Sequence, residues 1–142
     1  MTKKSPLARP KPKHEFRRLT QDELRAELEE RFGPDPMEWA FVCPHCGDVA
    51  TGGDFRRALD SRGQVGESVS ARLGQICIGR VLGILDLPAR EAHLWTGRGC
   101  DWTAFGLFRG PWIVQIPKED HPDGMIEVGC FPIAPARIGA PQ

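Results

Sequence analysis

The sequence predicts an α+β domain of short antiparallel strands around a zinc-ribbon-like centre, with one N-terminal helix and a disordered basic arm before it. Three observations carry that expectation. A single well-signed helix stands near the start. A Cys43-Pro44-His45-Cys46-Gly47 turn comes after it, with Cys77, Cys100 and Cys130 further on. Finally, 16 glycines and 13 prolines interrupt the 142 residues too often for long helices after Gly33. A chain so rich in turns buries less apolar surface per residue than a helical bundle, which makes an internal crosslink a useful addition to stability.

Residues 1–18 read as an arm. Lys3, Lys4, Arg9, Lys11, Lys13, Arg17 and Arg18 stand against Glu15 alone, a net of +6 that leaves residues 19–142 at −6. With three prolines and no apolar periodicity, this segment is expected to be disordered, either as a solubilising terminus or as a basic tether for nucleic acid. The folded domain is expected to span residues 19–142.

The clearest local signature comes next. Thr20 and Glu23 have the spacing of a capping box, Leu19 and Leu24 that of a hydrophobic staple, and Gly33 with Pro34 and Pro36 stops the chain. The helix is therefore predicted over residues 21–32. Leu24, Leu28 and Phe32 form one apolar stripe, while Glu27, Glu29 and Glu30 lie off it, so one face packs and the other is solvated.

Residues 37–42 are expected to be extended into the Cys43 turn, and residues 48–51 to leave it as a second short strand. Asp54 is the expected cap of a helical turn over residues 55–59, and residues 61–71 read as loop. The Ile/Val/Leu-rich run 75–85 is expected to be a buried strand carrying Cys77. Pro88 ends it, and residues 89–94 have the look of a helical turn. Further strands are expected at 101–108, 112–116 and 125–131, with His121-Pro122-Asp123-Gly124 turning between the last two.

The chemistry lies in the cysteines. Two cysteines separated by two residues at a tight hairpin can direct both sulfurs at one ion, and the glycine after them permits the backbone turn. That supplies half of a tetrahedral site, so two more soft donors are required. Cys77 and Cys100, each with glycines close by, are the chosen pair; Cys130 lies on an apolar strand and reads as a buried free thiol. Sets that substitute Cys130 or a histidine are the alternative. His45 should face outward, and His93 and His121 read as surface or turn residues.

Four thiolates close the tetrahedron and leave no position for water or substrate, so the ion is expected to be structural Zn2+, with iron the lesser alternative. An odd cysteine count without an apolar leader or a bilayer-length apolar run points to a reducing cytoplasm, not to a disulfide framework, export or membrane insertion. A thiol–disulfide reading of Cys43-Pro44-His45-Cys46 needs a helix directly after the motif, where Gly47 and a β-rich run stand instead. The zinc-deaminase signature is missing, as is any nucleophile elbow, and no catalytic residue or small-molecule substrate is evident. Trp95, Trp102 and Trp112 with Arg98 and Arg109 could stack bases, but core and rim packing is the simpler reading.

The blocks F-G-x-D-P-x-x-W-x-F-V-C-P-x-C-G (residues 32–47), C-I-G-R (77–80), G-C-x-W (99–102) and G-L-F (106–108) give the chain a family likeness. It resembles an uncharacterised family of short bacteriophage and bacterial proteins over residues 19–110. The resemblance implies a phage or prophage context, hence the cytoplasm of a bacterial host, and adds weight to Cys43, Cys46, Cys77 and Cys100 as the ligand set. The expected function is a non-enzymatic zinc-binding module acting on nucleic acid or a host protein. A thiol-redox protein or a structural part of a phage assembly are the alternatives; the sequence does not set the oligomeric state.

Overall fold

In the computed structural model, residues 16–105 and 111–135 are described. Lys3, Lys4, Arg9, Lys11 and Lys13 lie outside them, so the arm is met only at its end. There the structure differs from expectation: Arg17 and Arg18 open strand β1, Arg17–Thr20. Pairing holds them, because β1 runs parallel to β4 (Trp112–Pro117) with Leu19 opposite Val114, both buried. β4 pairs antiparallel with β5 (Met125–Cys130), giving a sheet of order β1-β4-β5. The expected antiparallel arrangement thus holds for β4–β5 and gives way to a parallel pair at the edge.

Helix α1 (Gln21–Phe32) forms as its local chemistry dictates. Thr20 Oγ1 accepts from the Glu23 amide, and the Glu23 carboxylate accepts from the Thr20 amide, satisfying two otherwise orphaned donors. Leu28 is buried in the sheet's core, with Leu24 and Phe32 packed against it. Arg17 makes a bidentate pair with Glu27 and lies over the Trp112 ring at 4.6 Å, so the helix is fastened to the sheet by charge as well as by packing. The Arg17 hydrogen bond holds the Glu27 carboxyl below its ordinary value, against the opposing effect of burial. Stability from this contact is present above the ordinary carboxylate pKa and is lost as pH falls through the depressed one.

After a 3-10 turn at Pro36–Glu38, β2 (Ala40–Val42) and β3 (Val49–Thr51) make a two-stranded antiparallel hairpin. Residues 132–134 line its outer edge: Val42 donates to the Pro132 carbonyl and Ala134 to the Ala40 carbonyl. Helix α2 (Gly52–Ser61) begins directly after β3, capped by Thr51 rather than by Asp54. Asp54 instead occupies the third helical position and completes a second capping box, its carboxylate accepting from the Thr51 amide. Phe55, Ala58 and Leu59 line the buried face at helical spacing. Removing Phe55 and Leu59 from water stabilises the fold by roughly 1.5–3 kcal/mol each.

The run 75–85 is not a strand. Ile76 makes a single bridge to Thr103, after which the chain winds into α3 (Gly79–Leu82) and a 3-10 turn at Ile84–Asp86. Apolar density over a short run does not separate strand from buried helix, and here Gly79 and Gly83 bend the backbone where β-branched residues would extend it. The strand expected at 101–108 is likewise reduced, within the described residues, to the Thr103 bridge. A 3-10 turn at Ala89–Leu94 matches expectation. None of the helices among the described residues is long and apolar enough to cross a membrane.

Two apolar clusters result. One joins Leu28, Phe41, Trp112, Val114, Phe131 and Ile133 with Cys43 and Cys77; the other joins Phe55, Leu59, Ile78 and Val81. Adjacent residues 77 and 78 belong to different clusters, so the Cys77 segment is the seam between them. We expect Thr20→Ala and Thr51→Ala each to cost about 1 kcal/mol in urea unfolding. The loss should be larger at Thr51, whose box also fixes the Asp54 carboxylate.

Candidate metal centre

Cys43 directly follows β2 and Cys46 closes the turn before β3. The Cys43 amide donates to the Asp48 carbonyl and the Gly47 amide to the Cys43 carbonyl, a loop that doubles back within five residues. Gly47 stands at φ 84°, a left-handed conformation that side chains disfavour. Cys77 and Cys100 come from the other side. The Cys77 amide donates to the Trp102 carbonyl and the Ala104 amide to the Gln75 carbonyl, laying residues 75–77 along residues 102–104.

Close backbone approach completes the convergence. A Cβ on Gly79 would sit 2.5 Å from the Cys100 carbonyl oxygen and 2.6 Å from its nitrogen; one on Gly99 would sit 3.0 Å from Cys77 Sγ. Only hydrogen at these positions lets residues 77 and 100 meet.

The four sulfurs predicted as a ligand set are brought together. Cys43 Sγ is 3.7 Å from Cys100 Sγ, Cys46 Sγ is 3.6 Å from Cys77 Sγ, and all four lie within 4.8 Å of one another. A zinc ion bound by four thiolates at about 2.3 Å places the sulfurs about 3.8 Å apart at the corners of a tetrahedron. The 3.6 and 3.7 Å separations fit that figure and are far too long for disulfide bonds. Cys43 and Cys77 are buried, Cys100 is half-buried and Cys46 is exposed. Cys130 is buried elsewhere in the core, donating to the Phe131 carbonyl, and burial pushes its thiol up to about 12. The reading of Cys130 as a buried free thiol agrees with this position.

The electrostatics ask for a cation. Hydrogen bonds from the Cys100 and Cys43 thiols pull Cys77 down, while Cys100 is pushed up because its proton is held between Cys43 and Cys77. Four thiolates this close repel one another unless positive charge is placed among them. Backbone amides supply part of what a metal-bound sulfur wants. The Cys100 amide donates to Cys77 Sγ at 3.1 Å and the Trp102 amide to Cys100 Sγ at 3.4 Å. The cluster could hold one metal ion.

Around it the structure adds contacts that residue spacing does not disclose. Arg98 bridges Asp48 at 2.8 Å, the Val49 carbonyl at 2.8 Å and Asp54 at 3.2 Å, clamping the loop of Cys100 onto the hairpin and α2. Asp48 Oδ2 is buried without a hydrogen-bond partner among the described residues. For Arg98→Met we therefore expect a loss of about 1–3 kcal/mol, as Asp48 would lose its cation at a partly buried site. Adding Asp48→Asn should recover part of that loss, read as a coupling term in a double-mutant cycle.

The other residues singled out in the sequence also take defined places. His45 is exposed, as expected, and its ring stacks on half-buried Trp102 at 4.7 Å and 6°. Trp112 is buried, and Trp95 donates to the Arg98 carbonyl. Arg18 pairs with Glu127 as Arg17 does with Glu27. Arg109 lies outside the described residues. A family model described as VVA0879-like matches residues 20–127. Neither a curated protein nor a solved structure gives a match.

Proposed function

The chain belongs to the VVA0879-like family, whose matched span encloses all four clustered thiols, and on that footing we propose a non-enzymatic binding module held in shape by structural zinc. The observation that carries this reading is the convergence of Cys43, Cys46, Cys77 and Cys100 from three separate segments onto one point. Full tetrahedral ligation leaves the ion no open position, so it crosslinks and does not react. Iron would suit the same four sulfurs. The backbone after the motif disfavours a thiol-redox role: Cys46 leads into a turn and strand β3, not into a helix whose N-terminus could activate a thiol.

Two partner classes arise from different parts of the chain. A nucleic-acid role rests on Lys3, Lys4, Arg9, Lys11 and Lys13, since Arg17 and Arg18 are engaged in ion pairs with Glu27 and Glu127. A host-protein role, or one within a phage assembly, rests on the folded face, where an apolar groove of about 250 Å³ opens between α1 and residues 69–73, bordered by Leu24, Met37 and Trp39. The test compares the full chain with one lacking residues 1–15, which leaves β1 whole, using single-stranded and duplex DNA and RNA across a salt series. Loss of binding on truncation, with affinity falling linearly in log salt, supports the nucleic-acid role. Salt-insensitive binding to a protein that survives truncation supports the folded face. Metal analysis of the purified chain tests the zinc itself.

A further inference from the structure

The four sulfurs are not equivalent. Cys46 is the exposed member of the cluster, and Cys43 and Cys77 are buried. Amide hydrogen bonds add a second difference. Cys77 receives the amide of Cys100 at 3.1 Å, and Cys100 receives that of Trp102 at 3.4 Å. Among the described residues no amide donates to Cys46 Sγ; its neighbour is Cys77 Sγ at 3.6 Å. An amide pointed at a metal-bound thiolate withdraws electron density from sulfur, and burial blocks approach. Cys46 lacks both protections, and thiolate character with access is what governs oxidation.

From this asymmetry we infer that Cys46 is a modification site: the ligand at which a peroxide-type two-electron oxidant enters the cluster, with Cys77 as the resolving thiol. The inference rests on the metal-site reading above. The Cys46 thiolate attacks one peroxide oxygen, the O–O bond breaks, and Cys46 sulfenic acid forms as hydroxide leaves. The Cys77 thiolate then attacks the Cys46 sulfur, forming the Cys46–Cys77 disulfide and expelling a second hydroxide. Two electrons pass from two sulfurs to one peroxide, and solvent protons convert both hydroxides to water. Only Cys43 and Cys100 would then remain to hold an ion, so the metal and the crosslink it would supply between the hairpin and residues 77–100 would be lost. A dithiol reductant with zinc restores the site.

The test uses the full zinc-loaded chain. Substoichiometric N-ethylmaleimide should label Cys46 ahead of the other three ligands. Hydrogen peroxide, followed with a chromogenic zinc chelator, should release the metal, and a non-reducing peptide map should show Cys46 joined to Cys77. Cys46→His, which keeps a donor, should bind zinc and slow release several-fold. Even labelling, a first disulfide between Cys43 and Cys46, or metal retained through cysteine oxidation overturns the inference while leaving the metal site intact. A reduced chain that binds no metal instead defeats the metal-site reading. Should the histidine variant fail to fold, the label and disulfide maps of the native chain still decide.

Discussion

Cys77→Ser is expected to abolish both metal binding and folding, whereas Cys130→Ser should leave the metal in place. Both thiols are equally buried, so burial alone would make the two substitutions comparable. The difference is expected to come from a bound ion. Apparent binding free energy at a structural zinc site is about 10–16 kcal/mol, as large as the whole stability of an ordinary domain at about 5–15 kcal/mol. Losing one ligand from the buried side removes most of that contribution, and the sheet and hairpin then have little beyond the Leu28–Trp112 cluster to hold them. At Cys130 the cost is that of an altered buried polar contact, about 1–3 kcal/mol. The measurements are metal stoichiometry by elemental mass spectrometry and far-UV circular dichroism with and without chelator. One ion per wild-type chain, none in Cys77→Ser and one in Cys130→Ser is the expected pattern. An equal loss of structure in both variants, with metal retained in both, would contradict it.

Gly79→Ala is expected to be nearly as damaging although it touches no ligand side chain. The added methyl would lie 2.5 Å from the Cys100 carbonyl oxygen and 2.6 Å from its nitrogen, and backbone atoms cannot rotate aside as a side chain can. Residues 77–80 and 99–101 must separate, carrying Cys77 and Cys100 apart. Overpacking a rigid site costs about 1–3 kcal/mol and occasionally more; here the separation also degrades ligand geometry, so we expect about 3 kcal/mol or more. Competition against a chelator of known affinity should then show zinc affinity reduced about a hundredfold, since each 1.4 kcal/mol is a factor of ten. Gly66→Ala is the control. Nothing lies within 4 Å of its Cβ position, so it should be neutral or stabilising by up to about 1 kcal/mol.

What the sequence discloses divides along the range of the interactions involved. The Thr20–Glu23 box, the Leu24/Leu28/Phe32 stripe and the Cys43–Gly47 turn are decided within a few residues, and the structure reproduces each. The meeting of Cys77 and Cys100 with that turn was legible for a different reason: unpaired soft ligands require partners, and glycines beside both cysteines marked where backbones could touch. Long-range pairing was not legible. Nothing local in Arg17-Arg18-Leu19-Thr20 distinguishes an arm from a strand until β4, almost a hundred residues later, is beside it. The run 75–85 misled because its composition serves a buried helix as well as a strand. Thr51 took the cap expected of Asp54 because the helix begins at the glycine pair, where Gly52 packs so tightly on the Pro36 carbonyl that a larger residue would not fit.

The parallel pairing of β1 with β4 has a consequence for how the chain is made. At the ribosome, residues 17–32 emerge well before the strand that receives them, which ends at Pro117, and before the last of the clustered cysteines at position 100. Translation at roughly 5–20 residues per second leaves α1 with its apolar stripe uncovered for several seconds. Such distant closures also slow folding itself. The nascent helix must therefore be shielded, or kept soluble by its own acidic face, until β4 has been synthesised and can lock onto β1 in one late step.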